Sequence, residues 1–469
     1  MLSSEPFLVG GRNISPMSWR TAIASLVAAG AALPASAQTQ PVTIPAKDFG
    51  PAWTGFYIGA AFGAGGLVNR IDTGGGGLGA SFNSGGSGVL GSIYGGVDYQ
   101  VLPRAVIGVL AEATLSSISS TNSATVPGAS ASITSRPNFE WAVLARAGFL
   151  ANSSTLFYFT GGYTGQNIQT SGTAFAGGQA ASFSRTDTFS GWTFGPGFEA
   201  MLGNNWATKL EYRYSQYGGQ SLGGTGFTMS PSTHTVRAGL TYKFGGLGVA
   251  PAESRPTFNE PAFNWTGVYA GVAAGAGMSS GPVTATAGGA SATFDTGGQG
   301  LLAGVFIGAD YQFARQALVG VMADFTWSGM QETATLTTPV GTGYAAVSPN
   351  RSWSVMGRVG YLPIPSTLLY GAVGYTGMNV KATGTAVMAG GGTMFGENDT
   401  SVSGWTVGPG IETVISGGWT TRLEYRYSQY EQKQVTWGVT AQPSMHTIRL
   451  GIAYKLGVGA NNNSIAAAD

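Results

Sequence analysis

Trp206-Ala-Thr-Lys-Leu-Glu-Tyr-Arg-Tyr-Ser-Gln-Tyr217 alternates with a period of two. Trp206, Leu210, Tyr212 and Tyr214 share one face, and Lys209, Glu211 and Arg213 share the other. A helix repeats its apolar positions every three or four residues, so this stretch is a strand with an oily face and an ionic one. The segment after it behaves the same way: Val236, Ala238, Leu240, Tyr242 and Phe244 face one side, Arg237, Gly239, Thr241 and Lys243 the other. Working outward, such runs predict eight strands, at about 54–64, 88–102, 105–117, 136–150, 155–168, 189–202, 206–217 and 233–244. The connections between them are roughly 23, 2, 18, 4, 20, 3 and 15 residues, alternately long and short. The long ones are tracts of Gly, Ser, Thr and Ala. Tight turns on one side and long loops on the other are the layout of a transmembrane β-barrel, and strands of 11–15 residues cover a tilted bilayer crossing.

The whole unit is written twice. Trp53-Thr-Gly-Phe-Tyr57 returns as Trp265-Thr-Gly-Val-Tyr269, and the same offset of 212 relates Asp98 to Asp310, Glu112 to Asp324 and Arg146 to Arg358. It becomes 213 for Glu199/Glu412, Glu211/Glu424 and Arg213/Arg426, then returns to 212 for His234/His446, Arg237/Arg449 and Lys243/Lys455. The slips fall in Gly- and Ser-rich stretches, where loops absorb insertions. At the N-terminus, Met17-Ser18-Trp19-Arg20, an apolar run from Thr21 to Leu33 and Ala35-Ser36-Ala37 form the three regions of a secretory signal. The domain plan is therefore a signal region at 1–37 (start at Met17, cleavage after Ala37), a linker at 38–52, a first barrel at 53–244, a linker at 245–264, a second barrel at 265–456 and a tail at 457–469.

Composition narrows the chemistry. Of 469 residues, 77 are Gly and only 9% are charged, where a soluble domain carries about 25%. Aromatic content of 11% argues against disorder, so something apolar surrounds the chain. A net charge of +1 leaves no footprint for nucleic acid. The absence of Cys removes thiol catalysis, disulfides and Cys-ligated metal centres. With two His in the chain, no metal, cofactor or nucleotide site is expected. Ser232 with His234 is the one pair that could suggest a lipid hydrolase, and no orienting acid lies near it in sequence.

The ionic faces point to the barrel interior. Glu112, Glu199 and Glu211 with Arg146, Lys209, Arg213 and Arg237 form the first set. Asp324, Glu412 and Glu424 with Arg358, Arg422, Arg426 and Arg449 form the second: three acids against four bases each time. Buried charges must be paired, and an eight-stranded barrel is just wide enough for side chains to fill, so these sets predict a structural salt-bridge plug. A narrow ion path lined by Arg is the rival reading. Gly195-Pro196-Gly197 and Gly408-Pro409-Gly410 put Pro inside the sixth strand of each copy and predict a kink.

Four motifs now carry a resemblance: Trp53–Gly59, Gly191–Glu199, Leu210-Glu-Tyr-Arg-Tyr214 and His234–Phe244, each recurring in the second copy. Together they resemble the alphaproteobacterial outer-membrane immunogenic, or porin-family, barrels, which are OmpA-like eight-stranded barrels. The resemblance implies insertion by the outer-membrane assembly machinery, which reads a last strand ending in an aromatic residue. Tyr242 and Phe244 fit this; in the second copy Tyr454 fits, and Leu456 replaces the Phe. The expectation is an all-β protein, two tandem eight-stranded antiparallel barrels in the outer membrane of a Gram-negative cell. Its role would be structural or surface recognition through the outer loops, without catalysis or cofactor. The partners expected are outer-membrane lipid and lipopolysaccharide, the assembly machinery and host or phage ligands. Three alternatives stand: one sixteen-stranded diffusion porin, a haem-type small-ligand binder and a lipid-modifying enzyme.

Overall fold

A computed structural model describes residues 53–244 and 263–456, apart from 76, 204, 222–225 and 437. The signal region, most of the linkers at 38–52 and 245–264 and the tail at 457–469 lie outside the described residues.

The first copy contains β1 (Gly55–Gly75), β2 (Leu78–Leu102), β3 (Ala105–Ser116), β4 (Ser120–Val126), β5 (Ala129–Asn152), β6 (Thr155–Ala176), β7 (Gln179–Gly203), β8 (Trp206–Tyr217), β9 (Gln220–Ser221) and β10 (Phe227–Lys243). The second contains β11 (Gly267–Ala287), β12 (Ala290–Ala314), β13 (Ala317–Ser328), β14 (Glu332–Thr338), β15 (Gly341–Ile364) and β16 (Thr367–Met388). It continues with β17 (Thr393–Ser416), β18 (Trp419–Tyr430), β19 (Lys433–Thr436), β20 (Val439–Ala441) and β21 (Ser444–Lys455). The short pieces β4, β9, β14, β19 and β20 continue or return from neighbouring long strands, so each copy has eight positions around its sheet. All pairings are antiparallel.

Both edges of each copy's first strand are occupied from within that copy. β1 pairs with β2 from Gly55↔Asp98 to Gly75↔Leu78, and with β10 from Tyr57↔Lys243 to Thr73↔Phe227. β11 pairs with β12 and, from Tyr269↔Lys455 to Ser280↔Ser444, with β21. Among the described residues each circuit of ladders returns to its starting strand, so the eight long strands of each copy are paired on both edges, as hydrocarbon requires. Phe56, Ile58, Ile93, Val109, Val143 and Phe159 each lie more than half exposed on the outside. Such a belt suits lipid and not water. Tyr99, Phe149 and Trp206 border it on the short-turn side, and Trp141, Tyr163 and Trp192 on the other.

Two expectations about the strands are corrected. The tracts expected to be long loops are strand: β2, β5 and β7 run for 25, 24 and 25 residues, well past the 9–11 needed to cross a bilayer. They end in tight hairpins. Gly177 and Gly178, at φ +57° and +78°, form a two-residue turn that demands left-handed backbone at both positions. Gly288 and Gly289 repeat it at +55° and +83°. The expected kink at Pro196 is a local loss of rungs: β7–β8 pairing stops at Phe194↔Tyr214 and resumes in the same register at Gly197↔Glu211. Glycine is required at 195, where a Cβ would sit 1.8 Å from the Tyr212 carbonyl oxygen.

Part of the outward face meets the other copy instead of lipid. Phe198, Leu210, Tyr212 and Val236 form one buried cluster with Ile411, Leu423, Tyr425 and Ile448. Equivalent positions touch: Thr155 Oγ1 lies 2.8 Å from Thr367 Oγ1, and Ser84 pairs with Thr296. Contacts between residues related by the repeat offset are those of a two-fold, self-complementary interface. Beyond the aromatic border the extensions also join, β4 to β12 and β14 to β2.

Candidate functional site

The pleat of β3, β5, β7, β8 and β10 sends alternate side chains inward, and there the first charge set meets. Arg213 bridges two strands, with Nη2 2.7 Å from Glu112 Oε2 and Nε on Glu211 Oε1. Arg237 Nε lies 2.8 Å from Glu112 Oε1, and its Nη2 faces Glu140 Oε1 at 3.6 Å. Lys209 stands 3.6 Å from Glu211 and over the Tyr94 ring, while the Tyr158 hydroxyl donates to Glu211 Oε2 at 2.8 Å. Nearer the short turns, Arg146 joins Asp98 at 3.2 Å and Glu199, and Lys243 Nζ reaches Glu199 at 2.9 Å and Asp98 at 3.3 Å. Arg213 and Arg237 are fully buried.

The second copy repeats this frame. Arg358 holds Asp310 through Nε at 2.8 Å and Glu412 through Nη1 at 2.9 Å; Lys455 reaches Asp310 at 2.7 Å. Arg426 joins Asp324 and Glu424, and Arg449 Nη1 lies 2.7 Å from Asp324 Oδ1. Tyr370 donates to Glu424 at 2.6 Å and Thr420 to Glu412 at 2.8 Å. Arg422 stacks on Phe306, 3.4 Å from the ring centroid.

Thirteen of the fourteen charged residues expected inside join two ion-pair networks, Arg422 meets only aromatic rings, and the expected tally of three acids and four bases is corrected. Asp98, Glu140 and Lys243 complete the first set, and Asp310 and Lys455 the second, giving five acids and five bases against four and five. Lys243 shares the ionic face of Arg237 in the alternation but lies at the strand end, outside the mid-barrel set, and Asp98 stands near the end of β2. Their recurrence at an offset of 212 was the available signal. Glu140 has no such signal, because Ser352 stands at its place in the repeat.

The other candidates separate. Ser232 Oγ donates to Val68 O at 3.2 Å and lies 2.9 Å from Gln299 Oε1, while His234 meets the same Gln299 oxygen through Nε2 at 2.8 Å. The other imidazole nitrogen meets the Tyr212 hydroxyl at 2.7 Å, so both imidazole nitrogens are engaged by Tyr212 and by Gln299 of the other copy rather than by the Ser232 hydroxyl. Tyr242 and Tyr454 pack edge-to-face against Trp206 and Trp419, with ring centroids 5.2 and 5.1 Å apart, while Phe244 and Leu456 stay exposed on the outside.

Known proteins match this architecture in both halves. The pattern describing the "Outer membrane protein beta-barrel domain" fits residues 23–244 and again 250–455. The 31 kDa outer-membrane immunogenic protein of Brucella melitensis is 30% identical over 221 residues, 45% of this chain and 90% of that one. The 22 kDa outer membrane protein of Rhizobium leguminosarum bv. viciae is 32% identical over 174 residues, 37% of this chain and 68% of that one. Among solved structures, the P. putida toluene transporter TodX is 10% identical with a TM-score of 0.27, covering 85% of this chain and 89% of that one. The protein is located in the outer membrane, and the chain belongs to the outer membrane protein β-barrel domain family, whose domain it carries in two copies.

Proposed function

We propose that this outer-membrane β-barrel protein acts at the cell surface through its elongated strand extensions, without catalysis, while its two lumens stay closed to solutes. The observation that carries this is the filling of both interiors by buried charged side chains, nearly all of them in ion pairs. With Arg213, Arg237 and Arg358 buried and held by carboxylates, transport of a solute would require breaking ion pairs in a low-dielectric interior, at about 3–5 kcal/mol each. The extensions instead present long, Ser-, Thr- and Gly-rich hairpins beyond the aromatic border, with side chains free for recognition. The immunogenic naming of the relatives supports surface exposure. The partners proposed are phospholipid and lipopolysaccharide around the belt and host or phage ligands at the hairpins. In assembly, the machinery would read Tyr242, Phe244, Tyr454 and Leu456.

Conductance of the purified full chain in planar bilayers tests the closed lumens: no stable unitary steps are expected, and large stable steps overturn the reading. Removing residues 170–186 from the β6–β7 hairpin tests the recognition part. Binding of surface-directed antibody or phage should fall at least tenfold while the barrels keep their heat-modifiable migration.

A further inference from the structure

The second lumen holds one acid fewer than the first and the same number of bases. Glu140, 3.6 Å from Arg237 Nη2, has Ser352 as its counterpart. Arg449, the counterpart of Arg237, keeps Asp324 through Nη1, and its Nε makes no hydrogen bond among the described residues. Arg237 Nε and Nη2 and Arg213 Nη1 make none either, but Arg237 faces both Glu112 and Glu140, so the difference between the copies is the missing carboxylate. Arg422, 4% exposed, replaces Lys209 of the first copy. Stacking on Phe306 uses the face of its guanidinium and leaves the in-plane donors, and Nη1 and Nη2 find no acceptor among the described residues.

The nearby carboxylates cannot serve these donors. Asp324 gives Oδ1 to Arg449 and Oδ2 to Arg426, Glu424 gives its two oxygens to Arg426 and Tyr370, and Glu412 gives its two to Arg358 and Thr420. Arginine does not shed its proton, so the excess positive charge stays. A cavity of about 10 Å³ lies among Phe306, Asp324, Arg422, Glu424, Arg426 and Arg449. That is the space of one water-sized sphere. Five buried bases against four acids leave an excess positive charge that is costly to bury, although Asp324 and Glu424 also line the cavity, and the space admits a single atom rather than a phosphate, sulfate or carboxylate.

We propose that the second lumen binds one monatomic halide, chloride in ordinary media, between Arg422 and Arg449. The ion takes the electrostatic place that the Glu140 carboxylate takes in the first copy, so the first lumen binds none.

The full chain in detergent tests this with chloride and bromide as probes. At equal ionic strength and tenfold above the dissociation constant, chloride should raise the unfolding midpoint over gluconate by about 3 °C, saturably. Ser352→Glu should abolish that chloride response. Crystals grown in bromide should give one anomalous peak between Arg422 and Arg449 and none beside Arg237. No peak at that position, or a chloride response equal in the unaltered chain and Ser352→Glu, overturns the proposal. The bromide measurement needs no substitution and stands even where Ser352→Glu does not fold.

Discussion

The two copies share a frame and differ at its centre. In the first, Glu112 and Glu140 both face Arg237, and the lumen carries five acids and five bases. In the second, Ser352 replaces Glu140 and Asp324 replaces Glu112, so one short carboxylate serves both Arg426 and Arg449. The cation–π partner also shifts, from Lys209 over Tyr94 to Arg422 over Phe306. The turn-side cluster is retained in kind: Arg146, Asp98, Glu199 and Lys243 correspond to Arg358, Asp310, Glu412 and Lys455. Duplication thus left the end of the lumen near the short turns fixed and allowed the middle to drift, which locates the constraint. In both copies the retained ion pairs lie next to a tryptophan, with Lys243 over Trp53 and Lys455 over Trp265.

The comparison breaks most readily at the arginines that each hold two acids. Arg213→Met leaves Glu112 and Glu211 without their shared partner, and Arg426→Met does the same to Asp324 and Glu424. Each should cost about 3–5 kcal/mol in urea unfolding of the heat-modifiable species, with the two losses similar. Exchanging the central residue sharpens the contrast. Glu140→Ser should destabilise the first copy by about 1–3 kcal/mol, because it removes one of two acids facing a buried arginine. A smaller effect belongs to the contact between copies. Thr367→Val removes the Thr367 hydroxyl that meets Thr155, Asn152 and Thr413, and should cost about 1 kcal/mol in the same assay, without changing either lumen. Least costly to the barrels is Gly178→Ala at the β6–β7 tip, where φ is +78°. The local strain of about 1–2 kcal/mol should appear as faster protease nicking of the tip with the unfolding midpoint unmoved.

Much of the frame was legible because half of each membrane strand faces something oily and half faces charge. WATKLEYRYSQY at 206–217 shows both faces at once, and β8 has those bounds. The extensions were not legible for the complementary reason. Beyond the aromatic border both faces of a strand such as β7 are largely exposed, so alternation disappears and the Gly-, Ser- and Thr-rich tract looks like loop. The turn residues were the remaining signal: Gly177-Gly178, Gly288-Gly289 and Pro127-Gly128 each close a two-residue hairpin. Leu210 and Tyr212 were read as outward, and they are; what covers them was hidden, since a second barrel and a lipid tail are equally apolar. The inward charges followed from parity, Lys243 included, while its pairing with Asp98 and Glu199 near the short turns was not visible in the alternation.

Two separate barrels require each copy to close its own ring, and cysteine pairs test that directly because the chain has no cysteine of its own. Ala60 and Leu240 are register partners across β1 and β10, and both point outward. Ala60→Cys with Leu240→Cys should form a disulfide in native outer membranes under mild oxidation. One sixteen-stranded ring would instead place β11 beside β10 and bring Val272 opposite Leu240 in the register that β1 now holds. Efficient cross-linking of Leu240→Cys with Val272→Cys, and none of the first pair, would contradict two self-closed barrels.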